Sequence, residues 1–253
     1  MLLLDFGNSA VKGQWWRDGA LQSSFTCRLG EHWLSRLSSI LSNIEVTNCV
    51  YASVADMQVE KQLLSCLHDI LSVDAPVRLR SLEYVAGVQS GYVEPEKLGV
   101  DRWLALVGAA AIVQNGAPVD KLIVDAGSAI TVDLLTKEGK HLGGAILPGF
   151  NTSIKRFKQI MSKADFDHPD ILSIDKPGCS TEACIHINYQ SVVTDRAMID
   201  NLIENWLSRL ASDAILIVAG GDAAQIQSYG SHTRHEVPDL VFRGMIKQLE
   251  NLG

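Results

Sequence analysis

Short apolar runs at Leu2-Leu3-Leu4, Cys49–Val54, Leu122-Ile123-Val124 and Ile215–Ala219 predict β-strands. Apolar residues at helical spacing predict helices elsewhere. One spans Met57–Leu71, and another spans Gly99–Asn115, where Leu104, Val107 and Ala111 share a face and Gly116-Ala117-Pro118 ends the element. A third runs from Thr181 to about Leu210, with a break near Tyr189. Thr181 is placed to cap its first turn, and Ala183, Ile187, Ile199, Ile203 and Leu207 supply its apolar faces.

The strands repeat. Leu2–Ser9 is echoed 120 positions later by Leu122–Ala129: an apolar triplet, then Asp-x-Gly, then small or polar residues. Each copy runs through a tight turn into β-prone sequence, Val11–Trp16 and Ile130–Leu135, and so reads as a β-hairpin. A fainter echo pairs Cys49–Val54, followed by a helix, with Ile215–Gly221, followed by Asp222–Gln227 as a possible helix opening. Hairpins first and strand–helix units later, twice over, predict two duplicated α/β domains, residues 1–115 and 116–253.

Composition narrows the class. The chain has 253 residues, 47% hydrophobic and 20% charged, as in a soluble globular protein with a sizeable core. A net charge of −7 and a pI near 5.5 argue against a nucleic-acid partner, while leaving room for a small anion held by backbone N–H groups. Cys27, Cys49, Cys66, Cys179 and Cys184 lack zinc-type spacing and read as reduced thiols. Asp5 comes too early for a signal-peptide core, and the longest apolar stretch, Leu104–Val113, is about half a membrane span. A cytoplasmic protein with no membrane partner is expected.

Two loops carry candidate phosphate chemistry. In Asp5-Phe6-Gly7-Asn8-Ser9, glycine permits a positive-φ turn and close approach of a phosphate. Asn8, Ser9 and the turn N–H groups can donate to its oxygens, Asp5 can hold Mg²⁺ directly or through water, and Lys12 adds positive charge. The second loop is Asp125-Ala126-Gly127-Ser128, whose carboxylate follows an apolar strand and needs a cation or donors there. One such loop alone is more simply a hairpin turn. Two loops facing one cleft would hold a nucleoside triphosphate from both sides. At Gly99-Val100-Asp101-Arg102, Asp101 at a helix head either deprotonates an attacking hydroxyl or only pairs with its neighbour, and Arg102 can hold phosphate or carboxylate. Gly143–Gly149 is either a phosphate-side turn or an ordinary Gly–Pro turn.

The two loops resemble those of the sugar kinase–Hsp70–actin superfamily, built on a duplicated RNase H-like fold. Taken together, Asp5–Lys12, Gly99–Arg102, Asp125–Asp133 and Gly143–Gly149 resemble, in order and spacing, the D-x-G-N-T-x-x-K, G-x-D-R, D-x-G-T-A-x-T-x-D and G-G-x-I-x-P-G patterns of type III pantothenate kinases. Ser9 and Ser128 stand where that family usually has threonine, and both keep the hydroxyl.

The resemblance implies ATP-dependent phosphorylation of pantothenate, with Asp101 as catalytic base. It assigns Asp5, Gly7, Asn8, Ser9, Lys12, Gly127 and Ser128 to ATP, and Tyr92, Gly99, Val100, Arg102 and Thr181 to pantothenate. It further implies Mg²⁺ with ATP, a monovalent cation (K⁺ or NH₄⁺) at Asp125, an adenosine-side turn at Ala219–Asp222, and a homodimer. The apolar central helix, with Trp103 at its start, suggests a contact surface for that dimer, while Trp103 by itself reads as either a core or an interface aromatic.

A kinase for another small hydroxylated compound and a catalytically silent regulatory relative are the alternatives. No P-loop, dinucleotide fingerprint or H-E-x-x-H motif is present, and the seven histidines read as surface or satisfied core residues.

Overall fold

Leu2-Leu3-Leu4 lies at the middle of a sheet, with neighbours on both sides and apolar contacts on both faces, as an unbroken apolar run requires. Residues 1–46, 48–73, 75–160 and 196–252 are described by the structure, a computed structural model. Strand β1 (Leu2–Phe6) pairs antiparallel with β2 (Ala10–Arg17), which pairs with β3 (Ala20–Arg28) across an Asp18-Gly19 turn. Both turn residues have positive φ, 50° and 76°, as the two-residue turn of a twisted hairpin demands. On its other side β1 runs parallel to β4 (Cys49–Ser53), and β5 (Val77–Arg78) completes the order β3-β2-β1-β4-β5.

The second sheet repeats this order as β10-β9-β8-β11-β12, built from β8 (Lys121–Ala126), β9 (Ala129–Leu135), β10 (His141–Pro148), β11 (Ile215–Ala219) and β12 (Thr233–Glu236). A two-stranded ribbon, β6 (Tyr84–Val85) with β7 (Val88–Gln89), forms a third, small sheet, and Gln89 N–H donates to Gly139 O at 2.9 Å. Two five-stranded sheets of one topology give the duplicated α/β fold expected from the sequence. The repeat extends to burial: Leu2–Ser9 and Leu122–Ala129 share one order, with three buried residues, a half-buried Asp, a buried residue, a half-buried Gly and two exposed residues.

Among the described residues the helices are α1 (Trp33–Leu41), α2 (Met57–Leu71), α3 (Val100–Ala110), α4 (Phe150–Ile160), α5 (196–207) and α6 (Leu240–Leu252). α2 has the expected bounds because its ends are local. The Asp56 side chain accepts from Gln58 N–H at 2.8 Å, and Ser72 turns left-handed to close it.

Two expectations are corrected. α3 stops at Ala110 rather than Asn115, because Asn115 and Gly116 take positive φ (50° and 77°) and form a tight turn closed by paired Gln114–Ala117 hydrogen bonds. Asp222–Gln227 opens only one 3-10 turn, Ala223–Gln225. Carbonyls that a continuing helix would use are taken by Arg234, whose Nη2 donates to Ala223 O (2.9 Å) and whose Nε donates to Ile226 O (3.0 Å).

The chain forms two compact units. The first comprises residues 1–118, 133–143 and 239–253; the second comprises 119–132 and 144–238. Within the first, α6 packs on α3 so closely that a Cβ at Gly108 would stand 2.3 Å from Leu240 O, and one at Gly244 1.9 Å from Leu104 O. Trp103 Nε1 donates to Gln248 Oε1 at 2.8 Å, and Gln248 Nε2 to Arg80 O at 3.0 Å. Trp103 is 0% exposed: of the two places the sequence leaves open to it, core and interface, it takes the core, sealed by a helix from much later in the chain.

Cys27, Cys49 and Cys66 are buried free thiols, and burial pushes the Cys49 thiol up to about 12. Among the described residues, no helix is long and apolar enough to cross a membrane.

Candidate active site

The first loop grows out of β1. Gly7 N–H donates to Ala10 O at 3.0 Å, leaving Asn8 and Ser9 exposed at the tip, while Ser9 O accepts from Leu29 N–H at 2.9 Å and anchors the turn to β3. Register sets Lys12 directly opposite Asp5, both half-buried, so the two side chains share one face beneath the turn.

The second loop is tighter by one residue. Gly127 N–H donates to Ala129 O at 3.0 Å, and β9 begins at Ala129. The incoming strands therefore match Leu2 with Leu122, but the outgoing strands match Ala10 with Ala129 and Lys12 with Thr131. Ser9 corresponds to Ser128 in this alignment, and Asn8 is the extra residue. Lys12 thus has no basic counterpart in the second loop.

The glycines at both tips are explained by neither backbone nor packing. Gly7 and Gly127 lie outside the positive-φ region, contrary to the turn expected from sequence. A Cβ would meet nothing nearer than Ala10 O at 3.6 Å or Ala129 O at 3.8 Å, both ordinary contacts. The absent side chains leave open space beside the exposed Asn8, Ser9 and Ser128, which fits the close approach of a phosphate.

Gly149 is different in kind, since a Cβ there would stand 2.0 Å from Gly127 O and 2.8 Å from Ser128 O. Its N–H donates to Ser128 O at 3.1 Å, and Thr152 Oγ1 donates to the same oxygen at 2.6 Å. The Gly143–Gly149 motif therefore ends by clamping the head of α4 onto the second loop. The Gly220 turn also lies against this loop: Asp222 N–H donates to Ala126 O at 2.9 Å, and a Cβ at Gly220 would meet Asp125 Oδ1 at 2.5 Å.

At the head of α3, Gly99 is the N-cap and Asp101 lies in the first turn. Asp101 Oδ1 accepts from Arg102 N–H at 2.8 Å. Burial pushes the Asp101 carboxyl above its ordinary range, against the lowering by that N–H and by the Arg102 charge. A carboxylate that binds its proton more tightly than usual, yet stays partly exposed, suits a general base. Val100, the first residue of α3, is buried.

Arg102 does not lie open for a ligand. It is 5% exposed, its Nε donates to Asp133 Oδ2 at 2.9 Å, and Nη2 donates to Asp133 Oδ1. Burial pulls the guanidinium pKa down, and Asp133 and Tyr92 more than offset this, so the group stays charged. Nη1 donates to the Tyr92 hydroxyl at 3.1 Å. His141 Nε2 meets Asp133 Oδ1 at 2.9 Å, and Gly91 N–H reaches His141 Nδ1 at 3.4 Å. The Tyr92 and His141 rings lie nearly parallel, 7° apart.

Asp133 and His141 were not singled out from the sequence. Asp133 ends the second loop's motif, and His141 reads as one more scattered histidine. Thr181, expected at the substrate, lies outside the described residues, as do Cys179 and Cys184.

A family model described as Type III pantothenate kinase matches residues 1–205. A Type III pantothenate kinase of Pseudomonas savastanoi pv. phaseolicola is 32% identical, with 97% of each chain covered. Among solved structures, a Campylobacter jejuni protein described as a Baf family transcriptional activator matches with a TM-score of 0.55 and 24% identity, over 99% of this chain and 98% of that one. A Sinorhizobium meliloti protein described as a 2-dehydro-3-deoxygalactonokinase matches with a TM-score of 0.53 and 14% identity, over 98% and 94%. Both share the fold.

Proposed function

The chain belongs to the type III pantothenate kinase family, and we propose on that footing that it transfers the γ-phosphoryl group of ATP to the primary hydroxyl of pantothenate, the entry to coenzyme A synthesis. The observation that carries this reading is the full-length match, 97% of each chain, to a relative of that name. The residues at the head of α3 and at the tips of both hairpins agree with it.

In this reading the pantothenate hydroxyl oxygen attacks the γ-phosphorus, and the bond from phosphorus to the β,γ-bridging oxygen breaks. The hydroxyl proton passes to Asp101, and ADP leaves. Asp101 is suited to this step because burial raises its affinity for a proton while the Arg102 N–H fixes the carboxylate. Asn8, Ser9, Lys12 and Ser128 bind phosphate oxygens through N–H, hydroxyl and ammonium groups, and Gly7 and Gly127 leave room for the phosphates to approach. Tyr92, Gly99 and Thr181 form the pantothenate side, with Val100 and Arg102 behind them and Arg102 acting through the Tyr92 hydroxyl.

Among the described residues no three His, Cys, Asp or Glu side chains cluster as a metal site. One or two protein carboxylates suffice for Mg²⁺, which keeps waters and phosphate oxygens as its other ligands. Asp5 would hold it, directly or through water, and bound there it neutralises charge on the phosphates. Asp125 would hold K⁺ or NH₄⁺. The protein works as a homodimer in the cytoplasm, with an interface that does not involve Trp103. Nothing in the site favours a silent regulatory relative, because Asp5, Asp101 and Asp125 are all present.

A coupled ADP-release assay with and without pantothenate tests the assignment. Release that depends on pantothenate is expected. Release indifferent to pantothenate, but stimulated by another hydroxylated metabolite, would reassign the substrate.

A further inference from the structure

We propose that Asp133 and His141 are positioning residues for the acceptor substrate: acting through Arg102, they fix the direction in which the Tyr92 hydroxyl donates. The proposal deepens the pantothenate kinase reading and rests on it.

All the groups involved belong to the first compact unit. They form one directional chain, starting at the Gly91 N–H, which donates to His141 Nδ1. That bond occupies Nδ1 as an acceptor, so the imidazole carries its hydrogen on Nε2 and donates it to Asp133 Oδ1. Asp133 in turn receives Nε and Nη2 of Arg102 side-on, which sets the plane of the guanidinium and aims Nη1 at the Tyr92 oxygen. With its oxygen accepting from a cation, the Tyr92 hydroxyl hydrogen is turned away from Arg102 and becomes a polarised donor.

Burial shows which end of the chain meets a ligand. Arg102, Asp133 and His141 are 5%, 2% and 1% exposed, whereas Tyr92 is half-buried and is the outlet of the network. His141 also stacks on the Tyr92 ring, so it constrains both the tilt of the ring and the polarity of the hydroxyl. A purely structural role explains this poorly. Removing an ion pair from water is costly, and apolar residues of similar volume often fill such a place with no loss of stability. The ligand that suits a polarised phenol donor is an oxygen acceptor, such as the carboxylate or an amide carbonyl of pantothenate. ATP has no part in this chain of contacts.

The test measures ADP release against pantothenate and against ATP for the wild type, His141→Leu, His141→Gln, Tyr92→Phe and the His141→Leu/Tyr92→Phe double variant. His141→Leu is expected to raise KM for pantothenate about tenfold, the effect of losing one charge-assisted hydrogen bond, and to leave KM for ATP within about twofold. His141→Gln, whose amide can still donate toward Asp133, should recover most of the loss. The double variant should be no worse than Tyr92→Phe alone, because both changes break one chain.

An active His141→Leu enzyme with unchanged KM for pantothenate, effects that multiply in the double variant, or equal rises in both KM values would each overturn the positioning role. If His141→Leu does not fold, His141→Asn can be read in the same way, because it keeps an acceptor for Gly91 N–H but is too short to reach Asp133. A wild type with no pantothenate-dependent turnover would instead overturn the kinase reading and take the positioning role with it.

Discussion

A Cβ at Gly99 would stand 2.7 Å from Asp101 Oδ1. The bare residue lets the carboxylate fold back over the head of α3 and accept the Arg102 N–H at 2.8 Å. The obstructed atom is the end of a side chain, so a methyl group there should displace the carboxylate and leave the helix intact. Gly99→Ala is therefore expected to melt within about 2–4 °C of the wild type, under about 1 kcal/mol. Its kcat should fall about tenfold or more through the misplaced base. A wild-type kcat in a folded Gly99→Ala protein would show that the position of Asp101 is immaterial.

Asp101→Asn separates catalysis from stability. Turnover is expected to drop by about 10²–10⁴-fold with ATP affinity retained, as for loss of a general base. Because burial raises the Asp101 pKa in the folded protein, the folded state binds its proton more tightly than the unfolded chain does. The stability gained from that proton is fully present below the unfolded pKa and is lost as pH rises through the folded pKa. The variant should therefore match or exceed the wild-type Tm at neutral pH, and its relative advantage should shrink on acidification. Thermal melts across that range, beside kcat profiles, check both halves. A variant clearly less stable than the wild type at neutral pH would contradict the sign.

Gly127 and Gly149 touch the same loop and should fail differently. A Cβ at Gly127 meets only an ordinary contact at 3.8 Å, whereas one at Gly149 meets the backbone oxygen of Gly127 at 2.0 Å. Gly127→Ala should fold normally and raise KM for ATP, because its methyl group occupies the space proposed for phosphate. Gly149→Ala should lose about 1–3 kcal/mol of stability, since backbone rather than a side-chain tip must move. Denaturant melts with ATP titrations distinguish the two. The reverse pattern would remove the phosphate from the Gly127 tip.

The monovalent cation at Asp125 is tested by exchanging K⁺ for Na⁺ at constant ionic strength. ATP brings several negative charges to loops that already hold Asp5 and Asp125, and one Mg²⁺ does not offset them all. kcat/KM for ATP should rise in K⁺, and Asp125→Ala should lose both ATP affinity and the response. Equal values in K⁺ and Na⁺ would remove the cation while leaving the kinase assignment in place.

The homodimer is checked by sedimentation at assay concentration. A species of about twice the 27.6 kDa chain mass is expected. An active monomer would exclude it.

Much of this molecule was legible in the sequence because it is written locally. The apolar triplets before Asp5 and Asp125, the helical span Met57–Leu71 and the repeated Asp-x-Gly turns need only strand or helix periodicity and the chemistry of a few adjacent residues. The duplicated fold followed from them, and the sheets share one strand order. Where local signals competed, the reading slipped. The apolar face of α3 continues past Ala110, but the Asn115-Gly116 turn draws the chain away, and Arg234 from a distant strand takes the carbonyls that would have prolonged the turn at Ala223.

Tertiary structure alone decided the rest. Asp133 has no role in sequence beyond closing the second loop's motif and His141 is one more scattered histidine, since a carboxylate on one strand and a histidine at the start of the next acquire meaning only when α3 brings the Arg102 guanidinium between them and Tyr92. Trp103 reads from sequence as either core or interface, and the choice is made by α6, more than a hundred residues later, which covers it through contacts that only Gly108 and Gly244 permit. Short-range periodicity determines which elements form. Which polar group must be satisfied by which partner depends on how distant segments exclude water from one another, and that is a property of the packed chain.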